Sequence, residues 1–140
     1  MNSIEQQIWG FTPEGEAVVR YTMTNAGGAS AVLSNIGAGI IAVNVPDRNG
    51  KLANVALGYD RFESYFGDGP YMGKTPGRFA NRIGEGRFTL DGKEYRLAQN
   101  SGGQHLHGGL KGFANKVWTG RVETDRVVFS LVSPDGDDKY

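Results

Sequence analysis

Cysteine is absent from the 140-residue chain, which excludes disulfide scaffolds, thiolate zinc centres and cysteine nucleophiles. No stretch approaches the roughly 18–20 consecutive apolar residues of a membrane-spanning helix. The start, Met1-Asn2-Ser3-Ile4-Glu5, has neither the basic residues nor the apolar run of a secretory leader. Neither sign of charge dominates. The chain carries 15 basic and 15 acidic residues, whereas a nucleic-acid partner usually calls for a basic excess. These absences predict a soluble, cytoplasmic globular chain with no membrane and no nucleic-acid partner. Its length suits one domain, 1–140.

What is present is glycine, 22 residues of it, and apolar alternation with a period of two. Residues 17–23, 31–36 and 40–45 read as strands, the last stopped by Pro46, which has no N–H for a central ladder. Pro46-Asp47-Arg48-Asn49-Gly50 is a turn, since Asn and Gly tolerate positive φ. Segments 88–90 and 93–97 flank Asp91-Gly92, a strong hairpin signal. A second hairpin joins 117–123 to 126–133 across Thr124-Asp125. The best helical candidate, 61–66, is barely a turn and a half. Many short strands punctuated by glycine predict an all-β fold, an antiparallel β-sandwich.

Several motifs invite chemistry. Gly37-Ala38-Gly39-Ile40-Ile41-Ala42 fits a dinucleotide fingerprint, but that fingerprint must open a helix, and here an alternating segment runs straight into Pro46. A glycine-rich strand turn is expected there. His105 and His107 are the only histidines. On a strand they would share a face. A metal site needs three or four ligands, and no cysteine or acidic cluster lies nearby, so no metal is expected. Two readings stay open: histidines satisfied by backbone, or a histidine beside Gly108-Gly109 where a ligand can approach closely. Arg78, Asn81 and Arg82 offer rigid donor forks and an amide with both donor and acceptor, which suits sugar hydroxyls; solvated surface guanidiniums are the plain alternative. Glu63, Asp68, Glu85, Asp91, Glu94, Asp135, Asp137 and Asp138 show no carboxylate pairing of the glycosidase kind.

Read together, these segments resemble the aldose 1-epimerases, also called galactose mutarotases. The matching text is Ser34-Asn35-Ile36-Gly37-Ala38, Val45-Pro46-Asp47-Arg48-Asn49-Gly50, Leu57-Gly58-Tyr59-Asp60 and Gly77-Arg78-Phe79-Ala80-Asn81-Arg82-Ile83. It continues through Phe88-Thr89-Leu90-Asp91-Gly92-Lys93, His105-Leu106-His107-Gly108-Gly109, Lys111-Gly112-Phe113 and Ser133-Pro134-Asp135-Gly136. The likeness runs in the family's own order from about residue 10 to the end.

The resemblance implies a cofactor-free isomerase on a large β-sandwich that interconverts the α and β anomers of hexoses such as galactose and glucose by acid–base ring opening. It implies that Asn81 and Arg82 hydrogen-bond the sugar. It also implies that His107 lines the same pocket, contacts substrate oxygens and is the candidate catalytic residue here. His105 carries no implied role. Family enzymes are more than twice as long; their general acid, a second histidine, and their general base, a glutamate, lie beyond the Ser-Pro-Asp-Gly motif. The expectation is therefore the amino-terminal portion of a truncated mutarotase-like sandwich, inactive alone. Its open edge would favour self-association or a complementary chain, with Val127, Phe129 and Leu131 as the exposed face. A non-catalytic sugar-binding module is the alternative.

Overall fold

A computed structural model describes residues 3–67 and 69–140; of the acidic residues considered above, Asp68 lies outside the described residues. Five strands, β1 (Ser3–Phe11), β2 (Ala17–Thr24), β3 (Ser30–Ser34), β4 (Gly39–Pro46) and β5 (Leu52–Asn54), form one antiparallel sheet in sequence order. Three two-stranded units follow. They pair β6 (Arg82–Ile83) with β9 (His105–Leu106), β7 (Arg87–Leu90) with β8 (Lys93–Arg96), and β10 (Thr119–Val122) with β11 (Val127–Ser130).

The expected antiparallel all-β architecture is present, and its turns have the anticipated chemistry. Asp47 Oδ1 accepts the N–H groups of Asn49 and Lys51 at 2.8 and 2.9 Å, and Gly50 takes φ 81°. Asp91 and Gly92 both have positive φ, as a two-residue hairpin loop requires, and Phe88 stacks on Tyr95 with ring centroids 4.9 Å apart. Segment 61–66 contributes one short 3-10 turn, Phe62–Tyr65. In the glycine-rich 37–42 segment no helix forms. The chain turns and enters β4, and a Cβ on Gly37 would sit 3.1 Å from the Ala114 carbonyl carbon, so close approach of backbone explains the glycine.

The core lies on one face of the sheet. Val18, Ile36, Ile41 and Tyr65 are buried there, with Trp9, Val32, Tyr59, Phe66 and Val117 packed around them. Tyr21, three residues along β2 from Val18, leaves on the opposite face and meets Phe129 of β11 edge-on at 5.5 Å. The face of 126–133 expected to be exposed is thus half-buried on the sheet, and Val132, pointing the other way, is 87% exposed instead. Asn35 ties these layers together. Its side chain accepts from Val19 N and donates to Ala17 O, while its carbonyl accepts from Trp118 N at 2.8 Å.

Candidate functional site

Pairing of β6 with β9 places Arg82 opposite Leu106 and Ile83 opposite His105. The ladder is only two residues long because Asn81 and His107, next to it on the two strands, both take positive φ; the Asn100 side chain caps the other edge of β9, its Oδ1 accepting from Leu106 N and its Nδ2 donating to Leu106 O. Beyond the ladder, Asn81 and His107 form a reciprocal couple. His107 N–H donates to Asn81 O at 3.0 Å, and Asn81 N–H donates to His107 Nδ1, also at 3.0 Å.

That second bond fixes the chemistry of the ring. With Nδ1 accepting, the neutral imidazole carries its proton on Nε2, which has no hydrogen-bond partner among the described residues. His107 is therefore a donor aimed away from its own backbone. Arg82 Nη1 donates to Asn81 Oδ1 at 3.0 Å, occupying the amide oxygen and leaving the amide N–H groups and the rest of the guanidinium fork available. Asn81 and Arg82 are exposed and His107 is half-buried, so three residues present donors on one accessible patch.

The patch is held by strained backbone. Tyr71, Asn81 and His107 adopt φ of 56°, 65° and 51°. Asn and His visit this region more readily than most residues, but a bulky Tyr there costs about 1–2 kcal/mol. Glycines around His107 allow close packing. A Cβ on Gly108 would overlap the Gly77 carbonyl, and one on Gly112 would lie 2.7 Å from His107 O. Tyr71 packs its ring edge-on against the His107 imidazole, centroids 5.0 Å apart. Nothing in the local sequence marks Tyr71, whose positive φ shows only in the backbone.

The two histidines do not act together. His107 has left the strand, so the alternation that would align the imidazoles ends at Leu106. His105 is fully buried. Its Nδ1 donates to Ala98 O at 2.8 Å and its Nε2 accepts from the Tyr140 hydroxyl at 2.8 Å. Burial holds the Tyr140 hydroxyl above its ordinary pKa, in keeping with its role as donor. Backbone satisfaction is thus the correct reading for His105, and ligand approach stays open for His107.

Arg78 is likewise structural. Its guanidinium donates to Ser133 Oγ at 3.0 Å and to the carbonyls of Ser133 and Pro134 at 3.1 and 2.5 Å. Asp137 completes this clamp by accepting from Ser133 Oγ at 2.7 Å and pairing with Lys116. The hydrogen bond from Lys116 first, then that from Ser133, hold the Asp137 carboxyl below its ordinary pKa. Asp138 is raised instead, by burial and by its neighbour Asp137. Among the described residues no group of three or more His, Asp and Glu side chains is placed to hold a metal, and no helix is long and apolar enough to cross a membrane.

Comparison with known proteins identifies the family. A sequence model of the aldose 1-epimerase family matches residues 19–140. Galactose mutarotase of Bos taurus is 44% identical over 140 residues, all of this chain and 41% of that protein. Aldose 1-epimerase of Escherichia coli K12 is 33% identical over 129 residues, 91% of this chain and 37% of that protein. The crystal structure of galactose 1-epimerase from Lactobacillus acidophilus superposes with a TM-score of 0.82 at 25% identity, covering 100% of this chain and 41% of that one. The chain thus spans about two-fifths of the length of these relatives. It belongs to the aldose 1-epimerase family.

Proposed function

We propose that Asn81, Arg82 and His107 bind a hexose, and that the activity they serve is interconversion of its α and β anomers. The observation that carries this reading is the pinned imidazole. Asn81 N–H on Nδ1 leaves His107 with Nε2–H as an outward donor, beside the amide and guanidinium donors of Asn81 and Arg82. Such a donor set suits the ring and hydroxyl oxygens of a sugar. The names of the relatives, galactose mutarotase and aldose 1-epimerase, support the same substrate class.

Ring opening needs two proton movements. A base takes the C1 hydroxyl proton, the C1–O5 bond breaks as C1 becomes an aldehyde, and an acid delivers a proton to O5. Rotation about C1–C2 and the reverse steps give the other anomer. His107 supplies hydrogen bonding to a substrate oxygen in this scheme. With Nδ1 accepting from Asn81 N–H and the proton on Nε2, the neutral His107 ring has no free lone pair to take the C1 proton, which favours a second reading, sugar binding without turnover by this chain. Polarimetry of freshly dissolved α-galactose separates the two. Acceleration that His107→Ala abolishes supports anomer interconversion by these residues. Binding without acceleration supports the binding module, and neither binding nor acceleration overturns both.

A further inference from the structure

We propose that Tyr71 is a positioning residue for His107, holding the imidazole plane so that Nε2–H faces the ligand. The inference rests on the hexose reading only for its consequence in binding; the positioning itself is a statement about the free protein.

A single hydrogen bond fixes one atom of a ring and leaves the plane free to pivot about it. Asn81 N–H on Nδ1 is the one hydrogen bond to the His107 ring among the described residues. The second constraint is the Tyr71 ring, 5.0 Å away centroid to centroid and inclined at 64°. Such edge-to-face pairs have a preferred geometry beyond their buried area, so the contact resists rotation of the imidazole.

Tyr71 is itself built to stay in place. Its carbonyl accepts from Lys74 N at 3.1 Å, closing a tight turn. That turn is tied to β4 and to the turn leading into it: Ile40 N donates to Gly73 O at 2.9 Å, and Thr75 N donates to Gly37 O at 2.8 Å. The Lys74 side chain is buried, donates to the Tyr65 carbonyl in the core, and places its ammonium 6.0 Å from the Tyr71 ring centroid. A continuous path therefore runs from β4 through this turn to the Tyr71 ring and on to His107. The turn also holds Tyr71 at φ 56°, a conformation that a bulky side chain keeps only when its surroundings impose it.

The test uses Tyr71→Phe, Tyr71→Leu and Tyr71→Ala with 15N-labelled imidazoles, first without sugar. In the native chain and in Tyr71→Phe, which keeps the ring, His107 should show one Nε2–H tautomer with an acceptor-type Nδ1. In Tyr71→Leu and Tyr71→Ala both nitrogen shifts should move towards a tautomer average, while amide signals of β1–β4 stay in place. Galactose should then bind about 5–10-fold more weakly to the Leu and Ala variants and unchanged to Phe, about one tenfold step being 1.4 kcal/mol. Native-like imidazole shifts in Tyr71→Leu overturn the proposal, and that variant decides the matter if Tyr71→Ala does not fold. If the shifts move as expected but no variant nor the native chain binds galactose, the positioning role stands and the hexose reading falls.

Discussion

Three glycine-to-alanine substitutions, two beside His107 and a control in the β2–β3 turn, separate conformational strain from close approach of backbone. Gly28 has φ 84° with open space where a Cβ would go, so Gly28→Ala adds only conformational strain, about 1 kcal/mol. Gly112 has an ordinary φ of −59°, but its Cβ would lie 2.7 Å from His107 O and 2.9 Å from Gly108 C. Both neighbours are backbone, which cannot swing aside as a side chain can, so the overlap costs about 1–3 kcal/mol. Gly108 combines the two faults: φ 87° and a Cβ overlapping the Gly77 carbonyl. Summing the terms gives about 2–4 kcal/mol for Gly108→Ala, a large share of the roughly 5–15 kcal/mol that holds a domain. Urea unfolding followed by fluorescence of Trp9 and Trp118 should rank the variants Gly28→Ala, Gly112→Ala, Gly108→Ala in order of increasing loss. Equal midpoints for Gly108→Ala and Gly28→Ala would refute the close-approach argument.

Arg78 and Arg82 should separate cleanly. Arg78→Ala removes three hydrogen bonds to Ser133 and Pro134 and should lower stability by about 1–2 kcal/mol, discounted for its exposure, with little direct effect on sugar affinity. A larger affinity loss in Arg78→Ala than in Arg82→Ala, measured by calorimetric titration, would contradict these assignments. Asp137 gives the clamp a pH dependence. Its folded pKa lies below the unfolded value, so the native state binds fewer protons between the two; the stabilisation is complete above the unfolded value and lost as pH falls through the folded one. Acid titration below about pH 4 should therefore release the 133–140 segment, and Asp137→Asn should flatten that limb; identical acid profiles would remove Asp137 as the cause. Among the described residues β10 and β11 pair in a ladder only with each other, so the outer edges they leave should favour self-association, and a clean monomer by light scattering at high micromolar concentration would count against it.

Strands whose two faces differ were legible in the sequence. Residues 17–23, 31–36 and 40–45 alternate because one face meets the core, and the structure places β2, β3 and β4 there. β1 was not legible. Ser3-Ile4-Glu5-Gln6-Gln7 is an exposed edge strand whose partner is β2 alone, so no apolar alternation marks it. The bulge at Trp9, where the register slips between Ile8 and Gly10, breaks what periodicity there is. Around the site, the motif match brought Asn81, Arg82 and His107 forward. Their meeting depends on a two-residue ladder and on positive φ at Asn81 and His107, neither of which local sequence encodes strongly. The separate fates of His105 and His107 have the same origin, since one left-handed residue ends the alternation that would have aligned them.

If Asn81, Arg82 and His107 form one hexose site, an NMR titration of the chain with galactose will reveal it. Saturable shifts should centre on these three residues and be lost in His107→Ala while the amide spectrum of β1–β4 is unchanged. Shifts centred elsewhere, or persisting undiminished in His107→Ala, would contradict it.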